Sequence, residues 1–251
     1  MPAVSEPLAG VVLAAGAGTR LAPLTSDRPK VLVEVAGQSL LERLLACCTT
    51  TGLRRVVVVT GYRGDAVERW LDAHPSGLDV CAVFNPDWAR LGNAQSLYVA
   101  RAALGEGGFV KLDGDLLLDP DILRRLLDSP WPSAIAVDRQ ARLDAEAMKA
   151  RLDDAGRVTA LGKWLPVEEA SGESIGAEKI AAAAAPRLFE AIERLVDAEG
   201  RHDAYYEDVY QRLIEQGWEL GAVDTAGGSW TEIDDAADLQ RARARLEGVR
   251  S

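Results

Sequence analysis

The sequence predicts an α/β fold of the Rossmann-like, three-layer type, with a mostly parallel central sheet. Two observations lead to this prediction. Short apolar runs typical of buried strands alternate with helical patterns through the first half of the chain. The first of these runs leads directly into a glycine-rich turn. Strands that alternate with helices imply a parallel sheet with right-handed crossovers.

In the first half of the chain, each predicted strand is a short run of mainly apolar residues. Residues 8–15 (LAGVVLAA) form the first run and residues 55–60 (RVVVVT) the second. The predicted strands are 8–15, 55–60, 79–84 and 108–112, and the predicted helices are 39–50, 65–73 and 93–103. The fourth strand leads into an acidic turn.

In the second half, the pattern predicts a hairpin. Segments 147–152 and 157–161 flank Asp153-Asp154-Ala155-Gly156, which favours a tight turn. Further strands are predicted at 175–182, 219–223 and 229–233, and helices at 186–199, 206–216 and 236–246, the last capped by Asp234 or Asp235. We expect one domain over residues 1–251, with the region at about 140–182 covering a substrate site.

Composition and charge argue against several classes of protein. A net charge of −11 over 251 residues disfavours a nucleic acid polymer as partner, because such binding usually needs a basic face. No apolar stretch reaches about 18 residues, so no membrane association is expected. Residues 1–6 lack the features of a signal peptide, which predicts a cytoplasmic protein. The three cysteines are interpreted as reduced thiols, and no Cys/His spacing matches a zinc site.

The most specific motif is the glycine-rich turn after the first strand. Its predicted nucleotide-binding residues are Leu13, Ala14, Ala15, Gly16, Gly18 and Thr19. Glycines let the backbone approach phosphate oxygens, and successive N–H groups form an anion-binding nest. Arg20 and Lys30 add permanent positive charge. An isolated Gly-x-Gly is equally typical of an ordinary strand-to-helix turn, and these two cations make the motif more specific.

Two better-known phosphate motifs do not match this turn. The dinucleotide fingerprint needs a third glycine where the chain has Leu21. The other phosphate loop needs Gly-Lys-Ser/Thr, and the chain has Gly18-Thr19-Arg20.

Residues 13–32 (LAAGAGTRLAPLTSDRPKVL) instead resemble the signature of the nucleotidyltransferase superfamily that makes activated sugars and alcohols. From about residue 8 to the last helix, the chain is most similar to the cytidylyltransferases that act on phosphocholine, aminoethylphosphonate or inositol 1-phosphate. The resemblance implies Mg²⁺-dependent transfer of a nucleoside monophosphate, with CMP favoured, from a nucleoside triphosphate to a small phosphorylated or phosphonate metabolite. Pyrophosphate would be released. The family also suggests a homodimer.

Acidic residues that end two predicted strands are candidates for holding the metal. Asp113 and Asp115 follow one strand, and Glu232 and Asp234 end another. Ligands collect at the carboxyl ends of strands in open α/β sheets, and Mg²⁺ takes few protein ligands. The resemblance implies that Asp115 and Asp234 bind the metal, with Asp113 behind them and Glu232 as a further candidate. The alternatives are a simple turn at the first position and helix capping at the second.

Side-chain amides and hydroxyls are candidates for recognising the nucleobase. In similar enzymes, the positions of Asn85, Gly92, Asn93 and Ser96 contact the base and ribose. We expect Gly92 to leave room for a flat ring. The alternative is that Asn93 only caps a helix and Ser96 faces solvent.

The candidates for binding the acceptor follow the hairpin or lie in later elements. Lys163 is a candidate for the acceptor phosphate, and otherwise a solvated lysine. Glu207 or Asp208 is expected to neutralise a cationic amine, and otherwise complements the dipole of a helix start. Aromatic side chains can enclose a choline-like group. The candidates are Tyr205, Tyr206, Trp164 and Trp230.

The predicted chemistry needs no general base, because a phosphate acceptor is already ionised and attacks the α-phosphorus in line. Arg20, Lys30, Asp115 and Asp234 are the predicted catalytic residues. One alternative is a sugar- or cyclitol-1-phosphate nucleotidyltransferase that uses UTP, dTTP or GTP. Leu116 and the polar segment 177–179 favour it, since both depart from the phosphocholine pattern. The other is a catalytically silent, nucleotide-sensing domain of the same fold.

Overall fold

The structure is a computed structural model and describes residues 8–248, so the signal-peptide prediction made on residues 1–6 lies outside the described residues. The strands are β1 (Ala9–Ala14), β2 (Glu34–Val35), β3 (Gln38–Ser39), β4 (Arg55–Thr60), β5 (Asp79–Phe84), β6 (Phe109–Asp113), β7 (Leu116–Leu118), β8 (Ala134–Asp138), β9 (Lys149–Leu152), β10 (Val158–Gly162), β11 (Gly172–Ile180), β12 (Gly221–Asp224) and β13 (Trp230–Glu232). The α-helices are α1 (Leu40–Thr50), α2 (Gly64–Ala73), α3 (Asn93–Val99), α4 (Arg101–Leu104), α5 (Pro120–Asp128), α6 (Ala185–Glu193), α7 (Tyr206–Glu215) and α8 (Ala236–Gly248).

The central sheet has the strand order β10-β9-β11-β6-β1-β4-β5, with β8 paired to β11 and β12 to β8. Strands β6, β1, β4 and β5 are parallel neighbours, as the alternation of strands and helices predicts. Strand β11 runs antiparallel to β6 and joins the β9–β10 hairpin to the same sheet. The predicted α/β fold is confirmed, and its hairpin extends one edge of the sheet.

The two faces of the sheet bury separate apolar cores, which gives the three layers. Side chains alternate along each strand. Val11 and Val57 therefore pack with helices α3, α6 and α7. Val12 and Val58 pack with helices α1, α2 and α5 on the opposite face. Each of these valines is fully buried, and burial of such a side chain stabilises the fold by about 1.5–3 kcal/mol.

The structure corrects several predicted elements. No element is predicted between residues 113 and 146, where β7, α5 and β8 lie. One predicted helix over 93–103 is two helices that meet at Ala100, and the helix predicted over 186–199 is α6 followed by a π-helical turn, Arg194–Ala198. Within residues 8–248, no helix has the length and apolar character that crossing a bilayer requires.

Candidate active site

A cavity of about 610 Å³ opens at the carboxyl ends of β1 and β6, the edge at which open α/β sheets bind ligands. Predicted site residues that line it are Leu13, Ala14, Ala15, Gly16, Arg20, Lys30, Asn93, Ser96, Asp113, Asp115, Lys163, Tyr205, Tyr206, Glu207, Glu232 and Asp234. The lining also contains residues for which no role was predicted, among them Asp144, Glu146 and Glu173. Predicted site residues outside the lining are Gly18, Thr19, Asn85, Gly92, Asp208 and Trp230.

The glycine-rich turn is shaped by Gly18, which adopts a left-handed conformation with φ of 62°. A Cβ at this position would lie 2.8 Å from Cβ of Lys30, so glycine lets the two segments pack together. Thr25 Oγ1 donates a hydrogen bond of 2.8 Å to the Gly18 carbonyl oxygen. Gly18 thus sets the path of the turn, and Thr19 is exposed in the short 3₁₀ helix that follows. Both residues lie outside the cavity lining, and their expected nucleotide contacts stay predictions.

Lys30 joins the two predicted metal-binding aspartates. Its Nζ lies 2.7 Å from Asp115 Oδ2 and 2.7 Å from Asp234 Oδ1, and Arg20 Nη2 lies 3.0 Å from Asp234 Oδ2. Burial opposes the charged form of Lys30, but the two carboxylates outweigh it and raise the pKa of Lys30 above its ordinary value. Burial likewise opposes ionisation of Asp234, yet Lys30 and Arg20 lower the pKa of Asp234. Residues over 200 positions apart therefore form one charged cluster.

A two-stranded ladder holds these aspartates together. Asp115 precedes β7 and Asp234 follows β13, and the two strands pair antiparallel. The Ile233 N–H donates to the Asp115 carbonyl oxygen at 3.0 Å. Asp235 Oδ1 accepts the N–H groups of residues 237 and 238, so Asp235 caps α8 while the Asp234 side chain lines the cavity.

The carboxylates of Asp115 and Asp234 fit the requirements of Mg²⁺. No cluster of three or more His, Cys, Asp or Glu side chains that could hold a metal occurs among residues 8–248. Mg²⁺ needs only one or two carboxylates, because water and phosphate oxygens complete its octahedral shell. Asp115 Oδ1 is buried and accepts no hydrogen bond from the described chain, so it has an unused lone pair.

Asn85 supports the cavity wall at Ser96 from behind. It is fully buried, its Nδ2 donates to Ser96 Oγ at 3.0 Å, and its Oδ1 accepts the Asp87 N–H at 2.9 Å. Asn85 therefore positions Ser96 and does not line the cavity. Ser96 is buried and lines the cavity, so the alternative in which it faces solvent is wrong.

Gly92 serves close backbone packing. A Cβ at this position would overlap the carbonyl oxygen of Ala204, so the space expected for a flat ring is filled by the chain itself. The neighbouring Asn93 lines the cavity, and its Oδ1 accepts the Tyr206 N–H at 2.9 Å. Helices α3 and α7 are thereby fixed to each other at the cavity wall.

The other end of the cavity lies over β9, β11 and the start of α7, and it is acidic. Asp144, Glu146, Glu173 and Glu207 line it, together with Lys163. Lys163 Nζ lies 3.2 Å from Glu146 Oε2. Burial, reinforced by the charges of Asp144 and a nearby aspartate, raises the pKa of Glu173 to about 7. We call this the acidic end, and the side with the glycine-rich turn and Ser96 the glycine-rich end.

Three residues predicted to contact the acceptor lie outside the cavity lining. Asp208 Oδ2 accepts the Tyr205 N–H at 2.9 Å, so Asp208 caps α7. Trp230 Nε1 donates to Asp138 Oδ2 at 2.7 Å, outside the cavity lining. Trp164 is 62% exposed and also lies outside the lining. Of the four aromatic residues predicted to enclose a choline-like group, Tyr205 and Tyr206 line the cavity.

A buried charge network lies beneath the acidic end. Lys111 Nζ lies 3.0 Å from Asp113 Oδ1 and 2.9 Å from Glu178 Oε2, and Tyr206 Oη donates to Asp113 Oδ2 at 2.6 Å. The contacts of Lys111 have the distances of ion pairs but lack hydrogen-bond geometry. Burial raises the pKa of Glu178 to about 8 and that of Glu207 to about 7, against the opposing charge of Lys111.

Residues 10–215 match the family model of the MobA-like NTP transferase domain. The chain belongs to this family. It is 37% identical over 250 residues to the bifunctional IPC transferase and DIPP synthase of Rubrobacter xylanophilus, an alignment that covers 97% of this chain and 53% of the relative. It is 32% identical over 254 residues to the CMP-5'-(3-aminopropyl)phosphonate synthase of Streptomyces rubellomurinus. That alignment covers 97% of this chain and 40% of the relative. The chain thus spans about half the length of these curated relatives.

The structure of the inositol-1-phosphate CTP transferase from T. maritima superposes on this MobA-like chain with a TM-score of 0.79, at 24% identity and over 96% of each chain. This likeness confirms the fold. The resemblance of residues 13–32 to the nucleotidyltransferase superfamily, and that of the longer chain to cytidylyltransferases, are confirmed by the family match and the two relatives.

Several charged residues of this MobA-like domain were missed by motif analysis. Lys111 interrupts an apolar strand, Glu178 lies in the polar segment 177–179, and β6–β11 pairing places the two side by side. Asp144 and Glu146 lie in a segment with no recognisable motif. Their place at the cavity follows only from the three-dimensional path of the chain.

Proposed function

We propose that the chain is a Mg²⁺-dependent cytidylyltransferase that transfers CMP from CTP to a small phosphate or phosphonate and releases pyrophosphate. The observation that carries this proposal is the cluster at the glycine-rich end, where Lys30 Nζ lies 2.7 Å from both Asp115 and Asp234. Groups that neutralise a triphosphate and groups that suit Mg²⁺ converge beside the glycine-rich turn. The names of the relatives support CTP as the donor.

The reaction proposed here requires positioning and charge neutralisation. An ionised oxygen of the acceptor attacks the α-phosphorus, the bond to the bridging oxygen breaks, and pyrophosphate leaves with the electron pair. Arg20 and Lys30 offset the charge on the pyrophosphate, and the N–H groups of the glycine-rich turn hold its oxygens. Mg²⁺ bound by Asp115 and Asp234 would supply further positive charge to the reacting phosphates.

We infer that the acceptor carries hydrogen-bond donors, either hydroxyl groups or a primary amine. Ionised carboxylates only accept hydrogen bonds, and the acidic end presents several of them. Glu207 Oε2 is buried and receives no hydrogen bond from the described chain. A quaternary ammonium has no N–H groups and needs aromatic faces, whereas Trp164 and Trp230 lie outside the cavity lining.

The same acidic end favours one second candidate, a sugar or cyclitol 1-phosphate as acceptor with UTP, dTTP or GTP as donor. Such an acceptor offers hydroxyl groups to the carboxylates as an inositol phosphate does. The two candidates share the chemistry at Lys30, Asp115 and Asp234 and differ only in the base and the acceptor.

Pyrophosphate release with Mg²⁺ tests the proposal. CTP, UTP, GTP, ATP and dTTP are each combined with inositol 1-phosphate, aminoethylphosphonate, phosphocholine and glucose 1-phosphate. We expect release with CTP and a donor-bearing acceptor. Release with phosphocholine alone contradicts the inferred acceptor class, and release only with another nucleotide selects the second candidate. A protein that binds triphosphates without release from any pair supports a silent domain.

A further inference from the structure

Lys149, the first residue of β9, is a buried lysine that contacts backbone oxygens. Lys149 is only 1% exposed to solvent. Its Nζ lies 2.9 Å from the carbonyl oxygen of Asp144, 3.1 Å from that of Ala147 and 3.5 Å from that of Ala145. Three donors of one ammonium thus match three carbonyl oxygens of a single short segment.

This arrangement makes the ammonium and the segment depend on each other. A buried ammonium is costly unless its donors are used, and charge-assisted hydrogen bonds are the stronger kind. The carbonyl groups of residues 144–147 in turn would lose their donor if the ammonium were removed. Asp144 Oδ1 reinforces the turn by accepting the N–H groups of Glu146 and Ala147 at 2.8 and 3.0 Å. The lysine therefore fixes the path of this segment.

The segment held by Lys149 forms part of the acidic end of the cavity. Asp144, Glu146 and Ala147 all line the cavity. Glu173, which is paired with Lys149 across β9 and β11, lines it as well. The glycine-rich turn instead follows β1, which β6 and β11 separate from β9 in the sheet. A structural change in residues 144–147 should therefore alter the acidic end of the cavity and leave the glycine-rich end unchanged.

We propose that Lys149 is a positioning residue for acceptor binding, because it fixes the path of residues 144–147. The proposal rests on the function proposed above, because it assigns the acidic end to the acceptor. Lys149 itself does not line the cavity and touches no substrate.

Lys179 offers a matched control within the same sheet. It is also buried, at 6% exposure, and its Nζ donates to the carbonyl oxygens of Ser129 at 2.7 Å and Leu127 at 3.2 Å. These oxygens lie at the end of α5, and none of the three residues lines the cavity. Lys179→Met thus removes the same kind of interaction at a distance from the site.

Steady-state kinetics of Lys149→Met and Lys179→Met test the proposal, with CTP and an acceptor that the unmodified chain uses. We expect Lys149→Met to raise the KM for the acceptor about tenfold while the KM for CTP stays within about twofold. Lys179→Met should change neither value. An unchanged acceptor KM in Lys149→Met, or an equal rise in both KM values, overturns the proposal. If Lys149→Met does not fold, Lys149→Gln replaces it. Because glutamine keeps two donors, a smaller rise in the acceptor KM is expected, and the same two results overturn the proposal.

Hydrogen exchange of the amides in residues 139–148 separates this inference from the proposed function. We expect faster exchange there in Lys149→Met than in Lys179→Met or the unmodified chain. Unchanged exchange overturns the proposal even if the chain is an active cytidylyltransferase. If the unmodified chain releases no pyrophosphate from any pair, the function and the acceptor role both fail, and the exchange still decides whether Lys149 orders the segment.

Discussion

Leu13 to Gly16 follow one another in the chain at the glycine-rich end, whereas Asp144, Lys163 and Glu207 reach the acidic end from three separate segments of the chain. The first end offers backbone N–H groups and permanent cations, which suit phosphate groups of any nucleotide. The second offers carboxylates, which suit the donors of one acceptor. Phosphate binding, which any nucleotide requires, is thus served by a local sequence motif. Recognition of one particular acceptor is served by residues that are dispersed along the chain.

The two ends also differ in what lies beneath them. The apolar residues of β1 and β4 support the glycine-rich end, and Val57 and Val58 are fully buried there. A buried lysine with several carboxylates supports the acidic end, and the pKa of Glu178 is raised to about 8 by burial, with Lys111 opposing the rise. Replacement of single side chains at the two ends should therefore have different effects on catalysis, on stability and on the binding of each substrate.

The largest expected effect comes from Asp115, which serves both substrates. Asp115→Asn should lower kcat/KM about 10²–10³-fold with every acceptor, because the proposed mechanism loses a charge that would hold Mg²⁺ near the reacting phosphates. Pyrophosphate release measures this loss. Asp235→Asn is the control, since asparagine also caps helices and Asp235 lies outside the cavity lining. Activity near normal in Asp115→Asn would remove Asp115 from the mechanism.

The next effect concerns the stability of the acidic end. Burial raises the pKa of Glu178 from an ordinary value of 4.5 to about 8, so the unfolded chain releases its proton first as the pH rises. The free energy of unfolding should therefore fall between pH 5 and pH 8, by at most about 1.4 kcal/mol per pH unit for this group. Glu178→Gln should reduce this dependence, as measured by urea unfolding at pH 6 and pH 8, while Glu173 and Glu207 continue to contribute to it.

Glu169→Gln provides the comparison for that experiment, because Glu169 is half exposed and paired with Arg151 on the surface. The free energy of unfolding of Glu169→Gln should depend on pH as that of the unmodified chain does. If Glu178→Gln kept the full dependence, the titrating group would lie elsewhere in the molecule.

A smaller effect, confined to the acceptor, is expected at Glu207. Glu207→Gln should raise the KM for the acceptor about tenfold and leave the KM for CTP unchanged, since the buried carboxylate loses its charge toward a donor-bearing acceptor. Burial raises the pKa of Glu207 to about 7, so in the unmodified chain the acceptor KM should fall as the pH rises through that value. Asp208→Asn should behave normally, because Asp208 caps α7. Equal changes in both variants would contradict the assignment.

The parts predicted from sequence are those with a local physical cause. The apolar run 55–60 predicted β4, and the turn at 13–20 predicted the position of Lys30 and Arg20 at the cavity. Helix α5 had a readable start in Asp119 and Pro120, but the three-residue strand before it gave no periodic pattern.

The parts that were missed depend on contacts between distant residues. Gly92 was expected to face a base, yet its neighbour is Ala204, more than a hundred positions later in the chain. Asp208 and Glu207 are adjacent, and only the direction of α7 decides which one lines the cavity. No local pattern records such a choice, because it is made by tertiary packing.

The smallest expected effect lies at the glycine-rich end. Ser96→Ala should raise the KM for CTP about threefold and leave the acceptor KM unchanged, because the cavity loses one hydroxyl and buried Asn85 Nδ2 loses its acceptor. Ser133→Ala is the matched control, since Ser133 is also buried and its Oγ accepts the Ala181 N–H outside the cavity lining. If Ser96→Ala instead changed both KM values, Asn93 and Tyr206, which join α3 to α7, would be transmitting the change between the two ends.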